Sequence, residues 1–337
     1  MTRAWTLGRG AFLLAAGVLI LLCPVIFSVF FTSQVALTSL WFGLAAVSLT
    51  FLSGYGGMVS LAQTGLFGVA GLVSAKLAVT MGWNIWLAAL AGIAVATAVG
   101  LLFGALASGS RGIYFLVITL AFGEITYSYF AAVNTFGAHE GINGDLPPAI
   151  LGNPVLHPAR MYYFTLVVCV LVYLALRYVA RTPFGIALQG VRDDPVRMSA
   201  LGYNVRLHRT LGFALAAPVA GLAGVISAWS YTRMSADSVS LGVSIFVLAA
   251  AVIGGLFRLE GAWVGAFVYT MLSTYLSSWT DRYATWIGVI FLVIVLVSPG
   301  GLVGMASAVN ARLRPRPRRP AGQEPAVPVK TPTSGVA

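Results

Sequence analysis

Residues 85–107 read IWLAALAGIAVATAVGLLFGALA, an uncharged run of 23 residues in which Thr97 is the only side chain with a hydroxyl. A helix rises about 1.5 Å per residue, so this run is long enough to cross the roughly 30 Å hydrocarbon core of a bilayer. A barrel strand would be only about ten residues long and would alternate apolar with polar positions; this run does neither. Similar runs recur along the chain. Of its 337 residues, 59% are hydrophobic and 9% charged, against about 25% charged in a soluble domain. In lipid the backbone must satisfy its own hydrogen bonds. The predicted class is therefore all-α: a polytopic transmembrane helical bundle.

The apolar runs predict about ten spans, at 11–31, 36–52, 64–83, 85–107, 112–136, 161–180, 210–232, 240–257, 262–280 and 284–306. The run at 240–257 is short and ends in the pair Gly254–Gly255. Ten spans put both termini on one side, and the charges select the cytoplasmic one. On that arrangement 16 of the 20 basic residues lie inside, among them Arg111, Arg181, Arg192, Arg197, Arg206, Arg209, Arg258 and those of the tail. This is the positive-inside asymmetry. It accounts for the net charge of +11 without nucleic acid as a partner.

Two domains follow. Residues 1–310 form the transmembrane part, whose first span is an uncleaved helix and not a signal peptide. Residues 311–337 form a basic, Pro-rich tail that cannot build a packed core and is expected to be disordered near anionic lipid head groups. Cys23 and Cys169 sit inside apolar runs, and no spacing of Cys, His or carboxylates suits a metal. There is no phosphate-binding loop of the G-x-x-x-x-G-K-[ST] type, no catalytic constellation and no cofactor motif, so the chain is not expected to be an enzyme. Uphill transport by it needs a partner or an ion gradient.

Three features carry function. The loop 181–209 contains Asp194 followed by Pro195, a side-chain cap and a ring preset for the first helical position. Gly202 is the matching stop. A helix of about two turns is predicted between them, presenting Val196, Arg197, Ala200 and Leu201. It serves either as a docking element for a cytoplasmic partner or as an amphipathic connector on the membrane. The stretch 53–71 holds Gly54, Gly56, Gly57, Gly65, Gly68 and Gly71 with Ser60, Gln63 and Thr64. It predicts either close helix packing or unwound backbone lining a path. Glu124 lies near the middle of the fifth span, where an acid needs a partner. Lys76 sits at the same position of its own span, which predicts a buried ion pair between the two.

With these residues in view the chain resembles the permease subunits of high-affinity branched-chain amino-acid ABC transporters, of the longer M type. The likeness runs through GYGGMVSLAQ (54–63), RGIYFLVITLAFGEI (111–125), TPFGIALQGVRDDP (182–195) with Ala200-Leu-Gly202, GGL (254–256) with GAWVG (261–265), and SPGGL (298–302). Gln63 stands where the family commonly has His, and Ser298 where it has a basic residue. The resemblance implies a second permease subunit, two cytoplasmic ATPases and an extracytoplasmic substrate-binding protein as partners. It implies that 194–202 is the ATPase-coupling helix. It places Glu124 in the family's Gly-Glu motif without giving it a role, and implies that an outer loop with Gly141, Asn143 and Gly144 faces the binding protein; the residues themselves suggest a translocation path past Gly54, Gly56, Gly57, Ser60, Gln63 and Glu124. Substrates would be branched-chain or related amino acids. The alternatives are an ion-gradient-driven secondary transporter and an ABC permease for urea or amides.

Overall fold

A computed structural model describes residues 20–305 except 138–139, 145–146, 153, 155, 281 and 298–299. The start of the expected first span, Ser298 and the tail 311–337 lie outside the described residues. The described residues are helical almost throughout, so the predicted class is the observed one. In chain order the helices are α1 (Phe31–Gly56), whose first seven residues form a π turn, α2 (Gln63–Val79), α3 (Ile85–Ala107) and α4 (Ile113–Ala132). There follow α5 (Pro158–Arg181), α6 (Pro183–Asp193), α7 (Pro195–Ala200) and α8 (Val205–Tyr231). The last three are α9 (Leu241–Gly254), α10 (Leu259–Ser277) and α11 (Tyr283–Val297).

Five of these, α1, α3, α4, α5 and α8, are each long and apolar enough to cross a membrane alone. The pair α9 and α10 passes the same test only jointly and is bent by 118° at its break. The helices α2 and α11 are apolar but shorter. Helix therefore covers nine of the ten expected segments, and residues 20–26 of the first are helical as well.

The apolar sequence alone does not say which helices sit centrally; burial does. In α1, 89% of the apolar window is buried, and in α8 72%, whereas α3, α4 and α5 are each 28% buried; of these α3 packs closely on α2 and α8, while α4 and α5 lie further out. The centre is built from α1, α2, α3 and α8. Small residues let these backbones approach, as Gly100 of α3 against Ala217 of α8, and Gly221 of α8 against Ala70 of α2 and Ala96 of α3. Without a hydrophobic drive between helices in lipid, such close packing is the main source of cohesion.

Arginines mark one end of the bundle. Arg209 Nη1 donates to the Ser110 carbonyl at 3.1 Å, joining the start of α8 to the α3–α4 turn, and the Arg192 guanidinium donates to the Gly54 carbonyl at the end of α1. The far end carries aromatic side chains, with Trp86, Phe164 and Trp229 in mutual contact, as at a membrane–water interface.

The apolar run at 240–257 proves short for a structural reason. After Tyr231 the chain does not restart a helix at the far end. Arg233–Met234 (β2) pairs antiparallel with Ile142–Asn143 (β1), and the chain then descends along α2. Met234 packs on Gly71, Val239 on Gly68, and Ser244 bonds Thr64. These are successive turns of α2, a descent of about 10 Å at helical rise. Irregular backbone is tolerated at that depth because it is buried in protein; Met234, Ala236 and Val239 are at most 1% exposed. Helix α9 then needs to cover only the remaining depth.

Candidate functional site

The Gly-rich stretch contains both unwound backbone and close helix packing, at different residues. Helix α1 stops at Gly56, and Gly57 adopts the left-handed conformation (φ +65°). Residues 57–62 are non-helical, and helix resumes at Gln63. The freed backbone groups find partners: Met58 N–H donates to the Leu52 carbonyl at 3.1 Å, Leu61 N–H to Thr119 Oγ1 at 3.2 Å, and Ala62 N–H to Ser60 Oγ at 3.2 Å. Gly65, Gly68 and Gly71 are packing positions instead, lying against Gly123 and Thr126 of α4, Val239 and Met234.

Gln63 does not line an opening. It is 1% exposed and sits between α1 and α8, where Ser48 Oγ lies 2.6 Å from its Oε1 and 2.9 Å from the Ala216 carbonyl. A hydroxyl has one proton and cannot donate to both. With the Gln63 amide turned over, Nε2 donates to Ser48 and Ser48 donates to Ala216. That orientation gives Nε2 an acceptor and puts Oε1, instead of the donor, at the buried position without a partner.

A second break lies between α9 and α10. Gly255 has φ +119°, and α9 and α10 meet backbone to backbone, since a Cβ on Gly254 would lie 1.8 Å from the Gly261 carbonyl oxygen. The two breaks touch: Ser53 Oγ donates to the Leu256 carbonyl at 2.9 Å, and Gly54 packs on Leu256 and Phe257.

Beneath them lies the loop 181–209. Asp194 Oδ1 accepts from Val196 N–H at 3.1 Å and from Arg197 N–H at 2.9 Å, capping α7 as predicted. Gly202 is left-handed at φ +88°. Val196 is 68% and Leu201 67% exposed, and Arg197 and Ala200 are also exposed. Met198 packs α7 onto Gly190 of α6. Helix α6 itself escaped the sequence reading, although Thr182–Pro183 repeats the cap-and-proline pattern of Asp194–Pro195. Its Leu188 and Val191 are fully buried.

The Lys76–Glu124 ion pair does not form. Helices α2 and α4 run side by side with Leu61 against Thr119 and Gly65 against Gly123, while Lys76 Nζ sits 4.5 Å over the Phe136 ring. Glu124 is thus level with about residue 65, and Lys76 lies some eleven residues further along, about 16 Å away at helical rise. The unwound residues 57–62 start α2 well inside the bundle, which makes equal positions within two apolar runs unequal depths. Glu124 is exposed, at a cleft it shares with Leu61, Leu120, Leu241 and Ser244.

The proposed path residues therefore do not share one cavity. Gly54, Gly56 and Gly57 lie at the arginine-marked end, Ser60 and Gln63 are buried, and Glu124 is on an outer face. An opening of about 620 Å³ was not foreseen. It lies between α1, the end of α8, α9, α10 and α11, and is lined by Trp41, Phe42, Tyr231, Phe246, Tyr269 and several Ser and Thr residues. At the far end, Asn143 pairs with Arg233, and Gly144 N–H donates to the Thr232 carbonyl at 3.2 Å. Gly141 has φ +74° and lies against Met234 and Ser235.

Broken helices buried inside a many-helix bundle, with a capped surface helix beneath the breaks, are the architecture of a membrane transport subunit. The sequence bears this out at the level of family. Residues 31–298 match the sequence model of the branched-chain amino acid transport system / permease component, and the chain belongs to that family. It is 24% identical over 300 residues to the high-affinity branched-chain amino acid transport system permease protein LivM of Escherichia coli (strain K12), covering 81% of this chain and 70% of that one. The LivM protein of Salmonella typhimurium is similar to the same degree over 298 residues. A probable branched-chain amino acid transport permease protein LivH of Methanocaldococcus jannaschii is 28% identical over 134 residues, 37% of this chain and 42% of that one. No solved structure matches the chain.

Proposed function

We propose that this chain is the membrane-spanning permease subunit of an ATP-driven importer, carrying branched-chain or related amino acids delivered by an extracytoplasmic binding protein. It pairs with a second permease and is driven by two cytoplasmic ATPases. The observation that carries this reading is α7: a capped helix at the arginine-marked end that holds Val196 and Leu201 away from the bundle. Exposed apolar side chains on a helix too short to span fit a groove on a soluble partner. The chain has ten spans with both ends cytoplasmic, supported by the arginines gathered at that end.

The path runs along the outer face of α4 where it meets α9, between this chain and the second permease. Glu124 supports this: among the described residues its carboxylate has no cationic partner, and an unpaired acid facing lipid is strongly disfavoured. Cover by the second permease removes that penalty. The loop with Gly141, Asn143 and Gly144 faces the binding protein. The tail 311–337 is a solvated basic segment.

Purification in mild detergent tests the reading. ATPase subunits should be retained with this chain, and uptake into proteoliposomes should require ATP and the binding protein. Vectorial uptake by this chain alone, driven by an ion gradient, would sink it.

A further inference from the structure

We infer that Arg192 is the residue through which movement of the docking helix reaches the broken membrane helices, a role that rests on the docking reading of α7. Arg192 lies in the last turn of α6, two residues before the Asp194 cap. Its guanidinium donates to the Gly54 carbonyl through Nη1. Nε and Nη2 are held by Asp193 Oδ1 at 2.8 Å and 2.7 Å. Its stem lies across Gly57, where a Cβ would come within 2.6 Å of Arg192 Cγ. One side chain thus touches both the last turn of α1 and the residue that ends it.

The contact is suited to transmission. The last carbonyls of a helix have no intrahelical donor and carry the negative end of its dipole. A guanidinium is the strongest side-chain donor for them and keeps its charge. Gly54 also packs on Leu256 and Phe257, and its neighbour Ser53 bonds the Leu256 carbonyl at 2.9 Å. Both breaks are therefore within one residue of the Arg192 contact. On the other side, α7 is packed onto α6 through Met198, and α6 is anchored by the fully buried Leu188 against Gly56 and Gly212. A displacement of α7 moves α6, and α6 moves the end of α1 together with the α9–α10 turn. The exposed Arg177–Glu260 pair at 3.4 Å ties α5 to α10 but does not reach α7.

The test uses the complete transporter in proteoliposomes and reads uptake per ATP hydrolysed. Arg192→Met keeps the stem and removes the donor. It should retain the ATPases in mild detergent and leave their KM for ATP unchanged, while uptake per ATP falls tenfold or more. Arg192→Lys, which restores one donor, should recover a substantial part of that loss. If Arg192→Met does not yield folded protein, Arg192→Gln, whose shorter side chain falls short of the Gly54 carbonyl, takes its place and should lower the ratio severalfold. A wild-type ratio in either variant overturns the inference, as does loss of the ATPases from Arg192→Met, which would make the residue part of docking. Leu201→Glu separates the two levels. It should release the ATPases; if they stay bound and coupled, the docking reading itself fails, whatever Arg192 does.

Discussion

Removing the Asp194 cap should loosen α7 without disturbing the bundle. The helix is six residues long, none of them is buried, and Met198 alone packs it closely on a glycine of α6, so the cap carries a large share of what keeps it helical. Asp194 Oδ1 satisfies two of its free N–H groups, at 3.1 Å and 2.9 Å. Loss of an N-cap side chain costs about 1 kcal/mol, and 1.4 kcal/mol is a factor of ten, so Asp194→Ala should lower the helix-to-coil ratio of α7 about fivefold. Hydrogen–deuterium exchange over residues 194–203 should quicken by that factor. Exchange in α8 should stay unchanged. Asp194→Asn keeps the acceptor and should remain within about twofold of wild type, since Asn and Asp cap comparably. In the assembled transporter, ATPase affinity should weaken by no more than the same fivefold, because only the binding-competent fraction changes. Equal exchange in the Ala, Asn and wild-type proteins would refute the argument, since the cap would then contribute nothing to the helix.

Other perturbations follow from the packing. Gly254→Val places side-chain atoms where the Gly261 carbonyl now lies, 1.8 Å from an ideal Cβ; overpacking of this kind costs roughly 3 kcal/mol, and the variant should elute aggregated on size exclusion. Ser48→Ala strands the buried Gln63 amide, a loss of about 1–3 kcal/mol. It should lower the denaturation temperature in detergent, and the double variant Ser48→Ala/Gln63→Leu should recover most of the loss; an unchanged single variant would break this account. A double-mutant cycle of Lys76→Met and Glu124→Gln should give a coupling below about 0.5 kcal/mol, as for residues far apart. A larger value would restore the ion pair.

What could be read from sequence was what local chemistry decides. The run at 85–107 became α3 with the predicted bounds because length and apolarity suffice for a span. Asp194, Pro195 and Gly202 gave the start and stop of α7 because caps act within three residues of themselves. Helix α6 carries the same signature at Thr182–Pro183, with the Thr182 side chain accepting from Gly185 N–H. Depth was not legible. The Lys76–Glu124 pairing assumed that each apolar run begins at the membrane surface, whereas residues 57–62 and 235–240 thread irregular backbone through the bundle and shift the register of α2 and α9. Nor can sequence tell a glycine that ends a helix, such as Gly57, from one that seats a neighbouring side chain, such as Gly68. Tertiary contact alone separates them. The meeting of Ser53 and Gly54 with Leu256 across some 200 residues is of the same kind.

The small β1–β2 pair has a mechanical consequence. It stitches the far-end loop to the strand that plunges beside α2, so loop and plunging segment form one panel instead of two independent flaps. A load applied at Asn143 is not dissipated at the surface. It is delivered through Met234 and Val239 to the Thr64–Ser244 hydroxyl pair, about 10 Å deeper at helical rise. Whatever presses on that face presses directly on the interior.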